Sequence, residues 1–270
     1  MIFPKEIQKT LKKLEKAEFE AFVVGGCVRD LLLDKSPKDW DITTNAKPEE
    51  IQKIFPDSFY ENKFGTVGIK TDTESESLKV IEITTYRIES KYSDKRHPDE
   101  VKFAKAIDED LKRRDFTINA LAMDKDGNLV DLFGGQEDLK NKLIRAVGNP
   151  EERFNEDALR LLRAIRFAIE LNFNIEEKTL KAIKEKSGLI QMIAKERIRD
   201  EFLKIIQHTP WPKGKRHSNE ITEEELKTGP ARAFELMRET GLLKHILPEF
   251  EDGYGVSQNK HHIFTVWEHN

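Results

Sequence analysis

The feature that most constrains the fold is a change of hydrophobic period near Pro150. Before it, short apolar runs bounded by turn residues predict strands. These runs are AFVV (21–24), TVGIKT (66–71), LKVIEITTYR (78–87), VKFA (101–104) and LAMDKDGNLVDLF (121–133), the last with DKDGN as a hairpin turn. After Pro150, apolar residues recur at helical spacing over 151–171, 176–193 and 194–207.

These patterns predict the fold class α+β. A head over residues 1–145, with a mixed β-sheet and helices, precedes an all-helical neck over 146–207 and a partial helical body over 208–270. Residues 1–20 follow an amphipathic, charged helical pattern, and the polar stretch 208–230 is typical of a loop with a charged helix start.

Composition is that of a globular protein with a heavily charged surface. Charged residues make up 36% and aromatic residues 9% of the 270 residues. No apolar run approaches the roughly 20 residues that span a bilayer, so no membrane partner is expected, and no secretory signal opens the chain. The single cysteine, Cys27, excludes an internal disulfide and a multi-cysteine zinc site. We therefore predict a cytoplasmic protein.

Charge is unevenly distributed along the chain. The formal net charge of −4 divides into −5 over residues 1–140, +6 over 141–216 and −5 over 217–270. A basic middle segment in an acidic protein suits a polyanionic partner. An ordinary charged helical surface gives the same count, and charge alone does not separate the two interpretations.

Two aspartates in KDWDITT (38–44) form the first candidate site. In a strand, Asp39 and Asp41 point to one face and Trp40 to the other. Two carboxylates on one face repel each other unless a cation lies between them, and hard divalent cations prefer such oxygen ligands. The alternative is a solvated turn end, which this motif alone does not exclude.

A phosphate-binding turn is predicted just upstream of the acids. The strand over 21–24 runs into Gly25 and Gly26, and a helical pattern follows over 27–33. Glycines let a phosphate approach the backbone, a helix start offers free N–H groups, and Arg29 adds a charged donor. A plain tight turn is the alternative. Together with the acid pair, however, the motif indicates a nucleoside triphosphate site.

The sequence resembles the class II nucleotidyltransferases of the DNA polymerase beta superfamily, which include the tRNA CCA-adding enzymes and the bacterial poly(A) polymerases. The resemblance rests on GGCVRDLLLDKSPKDWDITT (25–44), RRDFTINALAMD (113–124), DLFGG (131–135), RFNEDALRLLRAIRFA (153–168) and KERIRDEF (195–202). These motifs follow the family's order and spacing and span nearly the whole chain.

The resemblance implies a two-metal site in the head. Asp39 and Asp41 take the role of the carboxylates that bind Mg²⁺. Glu82 is the best-placed third acid, because Ile81 and Ile83 on either side of it would face the core by strand alternation. A surface glutamate on a half-exposed strand is an equally good interpretation of Glu82.

The resemblance also implies a nucleotide-binding set in the head. Its members are Gly25, Gly26, Arg29, Arg113, Arg114, Asp115 and Asn119. The family assigns the RRDFTIN motif to the ribose and triphosphate, with Asp115 on the sugar hydroxyl and Arg114 on phosphate. Asp115 is also expected to cap a helix over FTINALAM (116–123).

The neck carries the implied base-recognition residues. Its apolar stripe is expected to comprise Ala158, Leu161, Leu162, Ile165 and Ile169. Asp157 and Arg160 share another face, where a surface ion pair would be their ordinary role. In the family, the matching EDxxR acid and arginine instead pair with the Watson–Crick edge of cytosine or adenine. Arg163 and Arg166 are predicted to meet phosphate or RNA, and Arg197 to support the nucleotide pocket.

Two features favour a tRNA enzyme within the family. The adjacent acids Glu156 and Asp157 are typically absent from poly(A) polymerases, and segment 87–103 resembles the flexible loop that A addition requires. We therefore predict untemplated addition of CMP, CMP and AMP from CTP and ATP to the tRNA 3′ end. An A-adding enzyme is second and a poly(A) polymerase third. An RNA-binding module with a degenerate site, or a transferase for proteins or small molecules, is the alternative class.

The C-terminal sequence resembles part of longer relatives. The segment 255–270 stops without a closing polar tail, which predicts a protein lacking its C-terminal part. In relatives, a histidine of VWEH begins a metal-dependent phosphohydrolase domain. Only Asn270 follows His269 here, so we expect no hydrolase activity. His261 and His262 are expected on a polar surface rather than in a zinc site.

Overall fold

The computed structural model describes residues 3–62, 65–90, 100–207 and 229–257. Among them, no helix has the length and apolar character needed to cross a membrane. The polar stretch at 208–228, the centre of the charged segment at 91–99, and the C-terminal histidines His261, His262 and His269 lie outside the described residues.

The described residues form two compact units. Those up to residue 141, together with 145–148, make up the first unit. Residues 142–144, together with those from 149 onward, make up the second. The predicted domain boundaries at 145 and 207 stay predictions.

The first unit is built on a mixed sheet. The described strands of this unit are β1 (Ala21–Val24), β2 (Asp41–Thr44), β3 (Ser58–Asn62), β4 (Thr66–Lys70), β5 (Val80–Thr85), β6 (Arg87–Ser90), β7 (Glu100–Phe103), β8 (Leu121–Met123) and β9 (Leu129–Asp131). Strands β6 and β7 pair with each other, apart from the mixed sheet. The sheet order is β3-β4-β5-β2-β1-β8-β9, in which β2 and β5 run parallel and the other neighbours antiparallel. The predicted α+β class with a mixed sheet is confirmed.

Five helices of the first unit are described. They are α1 (Lys5–Lys16), α2 (Gly26–Leu32), α3 (Pro48–Ile54), α4 (Ile107–Lys112) and α5 (Gly135–Lys140). The amphipathic pattern of α1 is confirmed, because Ile7, Leu11 and Leu14 are buried on one face. Strand β5 shows the predicted alternation: Ile81 and Ile83 are buried, and Glu82 between them is exposed.

The helix predicted over 116–123 is wrong. One 3-10 turn covers Thr117–Asn119, and β8 follows it, bonded to β1 and β9. All three residues of β8 are buried, and periodicity does not separate a fully buried strand from a buried helix. The hairpin predicted at DKDGN is confirmed, since residues 124–128 join β8 to β9 and Gly127 has a φ of 87°.

The charged segment 87–103, predicted as a flexible loop, begins and ends with a β-strand. Strands β6 and β7 pair with each other in antiparallel register, Arg87 opposite Phe103 and Ile88 opposite Lys102. The strand predicted at VKFA (101–104) matches β7, but its pairing with β6 carries no sequence signal, because Ile88 and Phe103 are both exposed and leave no buried alternation.

The second unit is mainly helical. Its helices are α6 (Pro150–Glu156), α7 (Leu159–Leu171), α8 (Glu177–Lys186), α9 (Lys195–Gln207), α10 (Gly229–Glu239), α11 (Leu243–Ile246) and α12 (Pro248–Glu251), beside a short parallel pair, β10 (Leu143–Ile144) and β11 (Asn174–Ile175). The predicted stripe is buried, as expected: Ala158, Leu161, Leu162, Ile165 and Ile169.

The single helix predicted over 151–171 is in fact two. Helix α6 ends at Glu156, and Asp157 takes an extended backbone conformation with φ −132° and ψ 105°. The Asp157 carboxylate accepts the backbone N–H of Leu159 at 3.0 Å, so it satisfies a free donor at the start of α7. The apolar period continues across the break, which is why the sequence pattern does not reveal it.

The Asp124 side chain is expected to stabilise the β8–β9 hairpin. Asp124 Oδ1 accepts the backbone N–H groups of Asp126 at 2.9 Å and Asn128 at 2.8 Å. Asp124→Ala removes both bonds and is expected to lower the free energy of unfolding by about 1–2 kcal/mol, measured by urea denaturation. Asp126→Ala is the matched control, because the only side-chain contact of Asp126 within the described residues is an exposed pair with Lys125, so stability should change by less than about 0.5 kcal/mol. Equal losses in the two variants would contradict this role.

Candidate active site

The acid pair lies at the start of the central strand β2. Asp41 is the first residue of β2, and Asp39 lies in a bend just before it. Asp39 is exposed, Trp40 is buried against the edge of the Phe3 ring, and Asp41 is half-buried. The two aspartates therefore alternate with a core tryptophan, although only Asp41 is within the strand.

Strand register places Glu82 beside Asp41. The parallel pairing of β2 with β5 sets Asp41 opposite Glu82, so the side chains of the two acids leave the sheet on the same face. On the other side of β5, Gly68 of β4 lies opposite Glu82. Among the residues that the structure describes, no group of three or more acid, histidine or cysteine side chains is close enough to hold a metal ion as placed. Glu82 as a third ligand stays a prediction.

The glycine turn leaves room for an arginine near Asp41. Gly25 precedes α2 with φ 83° and ψ −134°, a conformation that L side chains rarely adopt. A Cβ atom on Gly25 would lie 2.9 Å from Nη1 of Arg114 and 3.9 Å from Oδ2 of Asp41. Gly25 thus leaves the space in which Arg114 approaches the first turn of the helix and the Asp41 carboxylate.

Arg29 and Asn119 are joined beneath this turn. Arg29 is buried; its Nη1 donates to Oδ1 of Asn119 at 2.9 Å, and its Nε and Nη2 donate to Asp30. Asn119 in turn donates through Nδ2 to Asp115 at 3.2 Å. In the structure, Arg29 links α2 to the RRDFTIN segment through Asn119. Contact between Arg29 and a phosphate stays a prediction.

Asp115 is not the helix cap that was predicted, because a 3-10 turn follows it, flanked by Phe116 and without a side-chain capping bond in the described structure. Its Oδ1 accepts the N–H of Phe116 at 2.7 Å, at the start of the 3-10 turn rather than of a helix. The turn is held from the other side by α5: Thr117 donates to the buried carboxylate of Asp138, which also accepts Nε of Arg145 at 2.8 Å. The DLFGG segment leads into α5, and it therefore contributes to the fold of the site by placing Asp138 against the 3-10 turn.

One central residue, Asp110, is absent from the sequence-based set. Its carboxylate, fully buried at the end of α4, accepts Nε and Nη2 of Arg113 at 3.0 and 2.7 Å and Nη2 of Arg114 at 3.2 Å. Burial alone would raise the pKa of Asp110, but the charges of Arg113 and Arg114 outweigh it and hold this pKa below the ordinary 3.8. The i, i+3, i+4 spacing on one helix face was the available signal.

A buried thiol also lies near the acids. The Cys27 Sγ donates to the carbonyl of Val24 at 3.2 Å and lies 3.8 Å from the carbonyl oxygen of Asp41. Burial, reinforced by the Asp41 charge, raises the pKa of Cys27 to about 12, so the thiol is neutral at physiological pH. Cys27 therefore packs the turn and does not act as a nucleophile.

In the second unit, Arg160 is aligned by Glu156. Arg160 is 8% exposed, and its Nη1 donates to Oε2 of Glu156 at 2.6 Å and to the carbonyl of Arg153 at 3.1 Å. Arg153 also pairs with the other oxygen of Glu156. Asp157 and Arg160 therefore do not form the surface ion pair that their spacing allowed, because Arg160 pairs with Glu156 instead.

Asp157 pairs with Arg197 on α9. Arg197 Nη2 lies 3.0 Å from Oδ2 of Asp157, and Nη1 lies 3.4 Å from Oδ1. This two-pronged contact crosses from α9 to the break between α6 and α7. It brings Arg197 to the predicted base-recognition acid.

Arg163 and Arg166 lie over the same aromatic ring. The Arg166 guanidinium is 4.1 Å from the ring centroid of Phe167, and that of Arg163 is 5.2 Å away. Arg166 also pairs with the buried Glu201 and with Glu170. Arg166 is therefore engaged in holding α7 to α9, and its predicted contact with phosphate or RNA remains a prediction.

The first unit has the donors that a divalent cation requires. Asp41 offers a carboxylate near the Gly25 turn, the exposed Asp39 lies two residues before it, and Arg114 offers a cation for phosphate at the same turn. A cation that keeps several waters and is shared with substrate phosphates needs only one or two protein carboxylates. The chemistry of the donor set thus fits a metal-bound nucleoside triphosphate.

Comparison with known families agrees with this geometry. A family described as "Poly A polymerase head domain" matches residues 21–145. A second, described as "Probable RNA and SrmB- binding site of polymerase A", matches residues 172–217 and 226–253. The two matches fall on the strand-rich and helical parts of the chain, respectively.

Individual relatives carry a common name. The CCA-adding enzyme of Lactobacillus helveticus is 57% identical over 196 residues, which are 72% of this chain and 48% of that protein. The crystal structure of Bacillus stearothermophilus CCA-adding enzyme in complex with CTP is 36% identical, with a TM-score of 0.76, over 93% of this chain and 56% of that one. A tRNA nucleotidyltransferase complexed with a primer tRNA and an incoming ATP analog is 28% identical, with a TM-score of 0.67, over 93% and 64%.

The matched relatives are longer proteins, and this chain spans about half the length of the curated ones. The head-domain match includes the acid pair, the glycine turn and the RRDFTIN segment, and the likeness to solved structures extends through both units. The chain therefore belongs to the nucleotidyltransferase family of the poly(A) polymerases and CCA-adding enzymes.

Proposed function

We propose that this chain adds CMP, CMP and AMP from CTP and ATP to the 3′ end of tRNA without a nucleic-acid template. The observation that carries the proposal is the grouping of Asp41 and Arg114 at Gly25, which supports a phosphate-binding role for Arg114 beside a metal-binding role for Asp41. The names of the relatives supply the substrates, since one binds CTP and another a primer tRNA with an ATP analog.

Asp39 and Asp41 are proposed to hold Mg²⁺, the divalent cation that suits one or two carboxylates together with substrate phosphates. When bound, such ions activate the attacking 3′-hydroxyl and stabilise the leaving pyrophosphate. Glu82, in register with Asp41, is proposed to orient the site from the neighbouring strand.

The remaining head residues are proposed to bind the nucleotide's sugar and phosphates. Arg113 and Arg114 carry the charge that offsets the triphosphate, and Asp115 lies at the 3-10 turn where a sugar hydroxyl can donate to it. Gly25 and Gly26 open the turn; Arg29 and Asn119 hold its two sides together. Direct phosphate contact by Arg29 is part of this proposal.

The second unit is proposed to select the base. An acceptor carboxylate and a donor guanidinium match cytosine and adenine, because both bases carry an exocyclic amine where uracil and guanine carry a carbonyl. Asp157 supplies the acceptor and Arg160 the donor, and each is already oriented by its own partner, Arg197 or Glu156. Arg163 and Arg166 are proposed to meet the phosphate or RNA backbone.

The function is tested with three tRNA transcripts, ending before CCA, after C and after CC. Each is incubated with magnesium and labelled CTP, ATP or both, and the products are sized on a gel. Three additions to the shortest transcript are expected. Addition of A to the CC-ending transcript alone would identify an A-adding enzyme, and long A ladders a poly(A) polymerase. No product with any transcript would overturn the proposal.

Removing the acids separates an enzyme from a binding module. Asp39→Ala and Asp41→Ala are each expected to lower turnover at least about a hundredfold, because the proposed metal ion, which stabilises negative charge in the transition state, loses a carboxylate ligand. The dissociation constant for tRNA, measured by filter binding, should change less than about threefold. Unchanged turnover in both variants would show that these carboxylates do not take part in the reaction.

Gly25→Ala is expected to weaken nucleotide binding. The new Cβ would strain the backbone and lie 2.9 Å from Arg114 Nη1, which must then leave the turn. We expect the dissociation constant for CTP with magnesium, measured by calorimetry, to rise about tenfold or more. Gly148→Ala is the control, because Gly148 has a similar φ of 68° but nothing within 4 Å of its Cβ position. It should lose stability only, and equal effects on CTP binding would contradict the steric argument.

Arg197→Met is expected to weaken base selection. Asp157 then loses the partner that orients its carboxylate, so kcat/KM for CTP should fall about tenfold and the preference for CTP over UTP should narrow. Arg199→Met is the matched control on the same helix, because Arg199 pairs with Asp200 in an exposed position. An unaltered CTP/UTP ratio in Arg197→Met would reject this role.

A further inference from the structure

Asp110 is a buried acid at the end of α4 that no part of the proposed reaction uses. Its side chain is 0% exposed. A buried carboxylate is costly unless hydrogen bonds and an opposite charge compensate it. Four donors from three residues, Thr43, Arg113 and Arg114, compensate Asp110.

The two carboxylate oxygens divide these donors. Oδ1 receives Nε and Nη2 of Arg113 at 3.0 and 2.7 Å, which is a forked contact on one oxygen. Oδ2 receives Nη2 of Arg114 at 3.2 Å and the Thr43 hydroxyl at 3.3 Å. Arg113 and Arg114 are consecutive in sequence, and their guanidinium groups would repel each other without a shared anion.

Thr43 connects this arrangement to the strand of the acid pair. Thr43 and Asp41 are two residues apart on β2, so they share a face of the sheet. Asp110 therefore links α4 and its arginines to the strand that carries Asp41. Arg114 Nη1 lies beside Gly25, whose own Cβ position is 3.9 Å from Asp41 Oδ2.

Arg114 is left with an unmet donor. Its Nε is buried and has no hydrogen-bond partner in the described part of the chain, and its Nη1 reaches the Asn119 carbonyl only at 3.5 Å. A buried unsatisfied donor is unfavourable, and Nη1 of the same guanidinium lies beside the Gly25 turn, where the proposed triphosphate would bind. The tie to Asp110 thus holds Arg114 in a geometry that the protein alone does not complete.

We infer that Asp110 is a positioning residue, which fixes Arg113 and Arg114 for the triphosphate and so sets nucleotide affinity without touching the nucleotide. This inference rests on the proposed function, since it concerns the same nucleotide. Asp110 has no exposed atom with which to contact a substrate, and its effect passes through the two arginines.

The test is Asp110→Asn, measured with CTP and magnesium chloride. The asparagine amide keeps the size of the side chain but removes the negative charge. It also replaces one acceptor oxygen with an NH₂ group, which would face the N–H donors of Arg113 or Arg114. The dissociation constant for CTP and the KM for CTP should each rise about tenfold or more, with kcat changed less than about threefold. Asp124→Ala, at the β8–β9 hairpin, is the control for lost stability and should leave KM unchanged.

A second pair of variants keeps the test valid if Asp110→Asn does not fold. Thr43→Val keeps the shape of the side chain and removes the hydroxyl, which lies 3.3 Å from Oδ2 of Asp110 and 3.3 Å from the carbonyl oxygen of Thr84, so KM for CTP should rise about two- to fivefold. Thr43→Ser keeps the hydroxyl and should restore KM. An unchanged KM in Thr43→Val, or the same KM in Thr43→Val and Thr43→Ser, would overturn the inference.

The outcomes also separate this inference from the proposed function. A folded Asp110→Asn protein that binds CTP as tightly as the unsubstituted chain would overturn the inference, while three additions to tRNA would still stand. An equal rise of KM in Asp124→Ala would attribute the effect to stability and reject positioning. An unsubstituted chain that neither binds CTP nor extends tRNA would overturn both.

Discussion

Strand β2 is hydrogen-bonded on both sides, antiparallel to β1 and parallel to β5, and this central position determines where the reactive groups lie. Trp40 anchors the entry to β2 in the core, so the strand cannot slip by one residue without exposing the ring and burying an acid. The same register sets Asp41 beside Glu82. Arg114 lies in the bend after α4 and is linked to β2 through Asp110 and Thr43, whereas Gly25 follows β1 and its N–H donates to the carbonyl of Leu121 on β8.

Charge compensation by dedicated partners is common to the two units. In the first, Asp110 holds two consecutive arginines together; in the second, Glu156 holds Arg160 and Arg197 holds Asp157. Pairs that are partly or fully buried contribute little net stability, because desolvation offsets their attraction. Their value is geometric, since each fixes a long, flexible side chain in one orientation before a substrate arrives.

The sequence predicted the parts of the fold whose signal is local. Alternation around Glu82, the stripe of α7, the DKDGN turn and the glycine turn before α2 depend on neighbouring residues, and the structure has each of them. The helix assigned to 116–123 was wrong, because β8 is buried on both faces and its apolar run carries no period of two. Its strand identity depends on pairing with β1, which lies far away in sequence, as well as with β9 across the DKDGN hairpin.

Much of the site could be located from the sequence, but its pairing could not. Motifs indicated Asp41, Arg114, Asp157 and Arg160, and the comparisons place them in the expected family. The partner of Asp157 was not predictable, because Asp157 pairs with Arg197, 40 positions away on another helix. Asp110 was missed although its spacing to Arg113 and Arg114 was visible, since a charged residue in a charged helix is ordinarily exposed.

The break between α6 and α7 has a consequence for changing nucleotide preference. The Oδ1 atom of Asp157 accepts both the first free N–H of α7 and a donor from Arg197. In the proposed role of Asp157, one oxygen would serve both base recognition and the start of α7. Libraries that randomise position 157 to accept other bases will mostly recover destabilised proteins, so an altered preference should require a second substitution that caps α7 by other means.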